Sequence, residues 1–191
     1  MRVIAGELRG RRIDAPRSGV RPTYDRVRES LFGIVGARTE GANVLDLFAG
    51  SGSLGIECLS RGAVAATFVE RDPRTLAVLR ANVDRLGLAD AAELLRVDAM
   101  RFLAGPASGR SFDIVFVDPP YESGLAEKAL ALLSAGRAVA PGALVVVETR
   151  AGGELPESSG VLTRARRKRY GSIEIGFYEA LPRRQAGKEE T

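Results

Sequence analysis

Asp118, Pro119, Pro120 and Tyr121 stand directly after an unbroken apolar run, Ile114-Val115-Phe116-Val117. A run of β-branched and aromatic residues suits a strand buried on both faces of a parallel sheet. Two consecutive prolines remove two backbone donors and fix φ, so neither strand nor helix continues through them. The product is a stiff corner at the carboxyl end of a strand, the edge where open α/β sheets bind ligands. The Asp118 carboxylate and the Pro119 carbonyl can accept both N–H bonds of an exocyclic amine on a planar ring. Holding both hydrogens localises the nitrogen lone pair that the ring would otherwise delocalise. Tyr121 can stack on the ring face, a contact worth roughly 1–3 kcal/mol per base. The same tetrapeptide also reads as a capped Pro-Pro turn, so the rest of the chain must choose.

A second constellation lies upstream. Asn43 to Phe48 reads as another buried strand, and Ala49-Gly50-Ser51-Gly52-Ser53-Leu54-Gly55 turns from it into a helix ending near Arg61-Gly62. Gly50, Gly52 and Gly55 satisfy G-x-G-x-x-G, and the following strand, Ala65 to Val69, ends at Glu70, where a ribose-binding acid belongs. Glycines let the backbone approach a ligand, and the helix N-terminus offers unpaired N–H groups. A nucleoside ligand is implied, either a dinucleotide or a methyl donor. Asp46 separates the two. Its carboxylate, ahead of the first glycine, would repel a pyrophosphate but suits the ammonium group of S-adenosylmethionine. Asp98, at the end of the strand Glu93 to Val97, can accept from the adenine amine or merely cap the short helix Met100 to Leu103. A chain of 191 residues has no second nucleotide-binding half. A small single-lobed dehydrogenase stays open, but with the Pro-Pro corner the methyl donor is the favoured reading.

These residues need a scaffold, and strands alternate with helices to supply one. Asp72-Pro73 opens a helix to Leu86 with Gly87 as its stop; another runs from Leu125 to Ala138, ahead of the apolar strand Ala143 to Val147. Val161 to Tyr170 and Ile173 to Ala180, joined at Gly171-Ser172, must form an antiparallel hairpin. Thr23 can cap a helix carrying Val27, Leu31 and Ile34 on one stripe. Ahead of it, two strand-like runs flank Gly6 to Gly10 and predict a small hairpin. The expected fold is α/β, a Rossmann-like doubly wound, mainly parallel seven-stranded sheet with a C-terminal antiparallel hairpin and a small N-terminal β-hairpin extension. The expected division is a basic extension over residues 1–22, a catalytic domain over 23–181 and a disordered tail over 182–191.

Composition narrows the chemistry. With 45% hydrophobic and 27% charged residues, the chain suits one globular domain. It has no histidine and one cysteine, Cys58, which excludes an internal disulfide, leaves no imidazole base and argues against a transition-metal site. No apolar run reaches membrane-span length, and no signal-peptide core follows the N-terminal arginines, so a cytoplasmic enzyme is expected. The net charge is +4. The cations cluster in Arg2, Arg9, Arg11, Arg12, Arg21 and Arg26, and again in Arg164, Arg166, Arg167, Lys168 and Arg169. Such clusters at both ends suggest a polyanion partner, against the plainer reading of a solvated basic surface.

Asp46-Leu-Phe-Ala-Gly-Ser-Gly-Ser-Leu-Gly-Ile-Glu57, Val-Glu70-Arg71-Asp72, Val-Asp98-Ala and Asp118-Pro-Pro-Tyr121 resemble the ordered motifs of class I N-methyltransferases. Arg21-Pro-Thr-Tyr-Asp-Arg-Val-Arg-Glu-Ser-Leu-Phe32, the opening Arg2-Val-Ile-Ala-Gly-Glu-Leu-Arg-Gly-Arg-Arg and the closing Arg169-Tyr-Gly resemble the RsmD family of 16S rRNA (guanine-N2) methyltransferases. The resemblance extends to about Glu179. It implies donor contacts from Asp46, Phe48, Ala49, Gly50 and Gly52, ribose binding by Glu70, and adenine contacts from Arg71, Asp98 and Ala99. It places Asp118, Pro119, Pro120 and Tyr121 on the target guanine, with Arg21, Thr23 and Arg26 bordering cofactor or RNA. The implied partner is 16S rRNA within an assembling or assembled small ribosomal subunit, bound by a metal-free monomer. Tyr24 and Ser53 depart from the family, which usually has a small hydroxyl residue and alanine there. An adenine-N6 methyltransferase acting on DNA or RNA shares the Asp-Pro-Pro-Tyr motif and is the alternative. A noncatalytic RNA-binding factor would have no use for the donor and acceptor set.

Overall fold

The computed structural model describes residues 1–15, 23–120, 124–135, 138–153 and 155–181, with side chains in the first helix from residue 26 onward. That helix, α1 (Thr23–Val35), precedes an alternating series: β1 (Asn43–Leu47), α2 (Ser53–Ser60), β2 (Ala65–Val69), α3 (Pro73–Leu86), β3 (Ala92–Leu95), α4 (Ala99–Ala104), β4 (Phe112–Val117), α5 (Leu125–Ser134) and β5 (Val139–Arg150). Three further strands follow, β6 (Ser158–Ser159), β7 (Leu162–Tyr170) and β8 (Ile173–Ala180). All enter one sheet in the order β3-β2-β1-β4-β5-β8-β7-β6. The first five are mutually parallel, and β8, β7 and β6 are added antiparallel.

Both faces are covered, which is why the parallel strands read as continuous apolar runs. On one face Phe32, Ile56, Leu79 and Val83, from α1 to α3, pack on Ile114 and Phe116 of β4. On the other, Phe102 of α4 and Leu130 and Leu133 of α5 cover Val115 and Val117. Neighbouring β4 residues thus serve opposite layers. The order of strands reverses between β1 and β4, which pair as Leu47 with Val117. A crevice must open at their carboxyl ends.

Three expectations are corrected. Among the described residues the sheet has eight strands rather than seven, because Ser158 and Ser159, ahead of the expected hairpin, pair with Thr163 and Leu162 at the edge. Pairing of this kind uses backbone groups alone and leaves no side-chain pattern. The helix α5 ends at Ser134, short of Ala138, and β5 begins at Val139.

The N-terminal extension closes as a short antiparallel arm around Gly6 to Gly10 rather than as two full strands, with one bridge, Arg2 to Arg12, and backbone bonds from Val3 to Arg11, Gly10 to Val3 and Ile13 to Met1. Its central backbone groups go to α2 instead. The amides of Ile4 and Ala5 donate to the two Glu57 carboxylate oxygens at 2.7 and 3.0 Å, and those of Glu7 and Leu8 donate to the Ser60 carbonyl and hydroxyl oxygens at 2.8 and 3.0 Å. At Gly6 φ is +81°, and a Cβ there would lie 1.7 Å from the Ser60 carbonyl oxygen, so only glycine allows this approach.

Candidate active site

Since Leu47 and Val117 are paired, β1 and β4 leave the sheet side by side at Phe48 and Asp118. Phe48 turns with φ +62°, a left-handed conformation uncommon for a non-glycine residue, and Gly50 and Gly52 follow at +56° and +80°. The loop is then tied from two sides. The Gly50 amide donates to Glu70 Oε2 at 3.1 Å, while Glu70 Oε1 accepts from the Asp72 amide at 2.8 Å. Below, the Gly55 amide donates to Asp46 Oδ2 at 3.0 Å. Gly55 is also a packing glycine, since a Cβ there would lie 2.4 Å from Phe68 Cε1 on β2.

A cavity of about 500 Å³ opens over these turns. Phe48, Gly50, Glu70, Arg71 and Ala99 line it from the expected donor set, and Asp118, Pro119 and Pro120 line it from the acceptor corner. Val69, Val97 and Leu125, not singled out in the sequence, give it apolar walls. Both halves of the expected chemistry therefore face one space.

Asp46, Ala49 and Gly52 do not line the cavity. Asp46 is only 2% exposed, and burial, with a smaller contribution from the Glu70 charge, pushes its carboxyl up to about 7 against the opposing Gly55 N–H. Ala49 and Gly52 are buried and shape the loop. Asp98 is a helix cap, its Oδ1 accepting from the Met100 and Arg101 amides at 2.9 and 3.1 Å, and its Oδ2 lies 4.0 Å from Arg71. Arg21, Tyr121 and the 182–191 tail lie outside the described residues, as do the side chains of Thr23 and Tyr24.

Glu148 is a functional candidate that sequence reasoning missed. It follows Val147, the β5 partner of Val117, and so stands beside Asp118 while being 8% exposed. The two side chains are hydrogen-bonded. Burial, then the Glu148 charge, then the Asp46 charge hold the Asp118 carboxyl well above the usual carboxylate range. A carboxyl held there favours its protonated form more than a solvated one does, and in either form an Asp118 oxygen remains able to accept a bond. An acidic residue ending the apolar stretch Ala143–Val147 was the only signal for it.

The two basic groups occupy different places. Arg2, Arg9, Arg11, Arg12 and Arg26 are exposed, and Arg2, Arg9, Arg12 and Arg28 surround a hollow between the arm and α1. In the second group Arg166, Lys168 and Arg169 are exposed, whereas Arg167 pairs at 2.6 Å with Glu174, which is 1% exposed. Lys168 pairs with Ile175, Ile175 with Glu148, and Glu148 adjoins Asp118, so this end of β7 shares a row with the acceptor corner. Three strand spacings separate Lys168 from Asp118, roughly 14 Å.

The family model described as "Conserved hypothetical protein 95" matches residues 1–179. Ribosomal RNA small subunit methyltransferase D of Escherichia coli K12 is 40% identical over 180 residues, 94% of this chain and 89% of that protein. Its namesake in Haemophilus influenzae is 42% identical over 151 residues, 78% of each chain. The solved structure of Escherichia coli yhhF, described as a candidate methyltransferase, superposes with a TM-score of 0.85 at 38% identity, covering 96% of this chain and 99% of the other.

Proposed function

From the premise that the chain belongs to this family, the RsmD methyltransferases, we propose that it moves a methyl group from S-adenosylmethionine to the exocyclic N2 amine of a guanine in 16S rRNA. That it is an rRNA methyltransferase follows from the family; the donor-binding residues, the base and its atom are the further reading. The observation carrying it is the single cavity with Glu70 on one side and the Asp118-Pro119 corner on the other.

The residues fit the donor. The cavity's size lies within the ~300–1,000 Å³ usual for small-ligand sites. Glu70, already accepting two backbone N–H bonds, has lone pairs left for a ribose diol, and Val69, Val97 and Ala99 offer an apolar slot for adenine. Asp46 supports the amino-acid end from beneath the loop. When bound, S-adenosylmethionine supplies an electrophilic methyl on a sulfonium. The chain's own work is alignment, which can provide roughly 7–11 kcal/mol of the barrier. Asp118 and the Pro119 carbonyl would accept hydrogen bonds from the two N2 hydrogens and so orient the N2 lone pair. Once N2 carries the methyl group it would be cationic, and the proton it sheds would pass to water at the Asp118 corner. Histidine is not needed. The target base must be unpaired or extruded, at a few kcal/mol. Arg166, Lys168 and Arg169 would hold flanking phosphates.

The test is transfer of labelled methyl from S-adenosylmethionine to small ribosomal subunits from cells lacking this protein, followed by nucleoside digestion. Label in N2-methylguanosine is expected. Label in N6-methyladenosine would overturn the base assignment.

A further inference from the structure

Asn82, on α3, is fully buried and belongs to no part of the site above, yet its amide makes four hydrogen bonds. Oδ1 accepts from the Asp14 amide at 2.9 Å and from Arg85 at 2.7 Å; Nδ2 donates to the Asp14 carbonyl at 2.9 Å and to the Ser51 carbonyl at 3.0 Å. This saturates nearly everything a carboxamide offers. Its orientation is fixed by its neighbours, because Asp14 N–H requires an acceptor and Ser51 C=O a donor. One side chain therefore clamps both backbone groups of the last part of the arm and the middle of the glycine loop. Ser51 lies between Gly50, bonded to Glu70, and Gly52. Its carbonyl cannot shift without moving the loop wall of the cavity.

The arm end of this link carries charge. Arg12 lies 2.7 Å from Asp14, and Arg85 reaches both the Asp14 carboxylate at 2.6 Å and the Arg12 carbonyl at 2.9 Å. A phosphate taking Arg12 would release its hold on Asp14 and leave that residue to Asn82 and Arg85. A polar group buried with all its partners keeps one arrangement, whereas one missing partner is costly, so the link is stiff enough to transmit such a change.

We propose that Asn82 is a positioning residue that couples the N-terminal arm to the glycine loop, so that an RNA phosphate on the arm strengthens nucleoside binding in the cavity. The proposal rests on the reading that the arm meets RNA and the cavity meets S-adenosylmethionine. By reciprocity the nucleoside strengthens RNA binding equally, and couplings of this kind usually amount to about 5- to 150-fold.

The test measures the affinity of the full chain for S-adenosylhomocysteine with and without unmethylated small ribosomal subunits. In the wild type the affinity rises at least about 5-fold with subunits present. In N82A that ratio falls toward one while subunits still bind. A second variant, R12Q, leaves all four Asn82 bonds in place, so it reports even if N82A folds poorly; its ratio also falls while subunits still bind. A wild-type ratio of one in a preparation that still methylates subunits would overturn the coupling and leave the proposed function standing. Retention of the wild-type ratio by folded N82A or by R12Q would overturn it equally. Failure of the wild type both to methylate and to bind S-adenosylhomocysteine would instead defeat the functional reading on which the coupling rests.

Discussion

Glu70 is the residue at which the nucleoside reading can be weighed most directly. Its two oxygens already accept from the Gly50 and Asp72 amides, at 3.1 and 2.8 Å. A ribose diol would add two further donors, which a carboxylate can accommodate and a carboxamide cannot, since E70Q replaces one oxygen with a donor NH2. The variant must lose either a loop tie or a ribose bond, and bonds to a charged acceptor contribute about 1.5–3 kcal/mol. Weakening of S-adenosylhomocysteine binding by about 10- to 150-fold is therefore expected. Calorimetry reads the affinity, and turnover at saturating S-adenosylmethionine should stay near the wild-type value because Glu70 stands apart from the reacting amine. Unchanged affinity, or a loss confined to turnover at saturation, would refute the assignment of Glu70 to the ribose.

Replacing Asp118 by alanine removes the acceptor of one N2 hydrogen; single-turnover transfer should fall by at least about 100-fold with nucleoside affinity retained, and lost affinity with normal turnover would overturn its role. For Asp46 the folded-state carboxyl is raised to about 7 from 3.8. Its stabilising contribution is thus complete below the unfolded value and lost as pH rises toward 7. The stability of the wild type relative to D46N, whose amide oxygen can still accept from Gly55, should fall between pH 4 and 8 by up to ~4 kcal/mol, read from urea midpoints; a pH-independent difference would contradict the shift. Neutralising Arg166, Lys168 and Arg169 together should lower the slope of log affinity for RNA against log salt by roughly 0.7–0.9 for each phosphate no longer neutralised; an unchanged slope would return these side chains to a solvated surface. Arg167 is better left in place, because its removal would strand the buried Glu174 carboxylate.

The two chemical corners were legible because each is local. An apolar run, two prolines and three glycines fix their own geometry within a dozen residues, and the alternation of elements places both corners at one sheet edge. The turn of the arm was legible but its docking was not. The backbone bonds that seat it run to Glu57, Ser60 and Asn82, more than 50 residues away, and no short-range pattern announces such partners. Glu148 escaped for a related reason: it meets Asp118 only through the register of β4 with β5. Asp98 shows the opposite case, in which the bland reading of a helix cap is realised while the acid still borders Arg71.

The strand β7 has a consequence beyond ligand binding. It is held by β8 along its length, but β6 covers only Leu162 and Thr163 and Glu157 accepts from the Arg164 amide, so among the described residues no strand pairs with its outer edge from Ala165 onward. A long uncovered margin of this kind is a template for unwanted pairing with another chain, a route to aggregation. Arg166, Lys168 and Arg169 make such addition repulsive between copies of the protein, because two margins brought together would oppose cation to cation. Neutralising the three side chains would therefore expose a tendency to self-associate that their charge now suppresses.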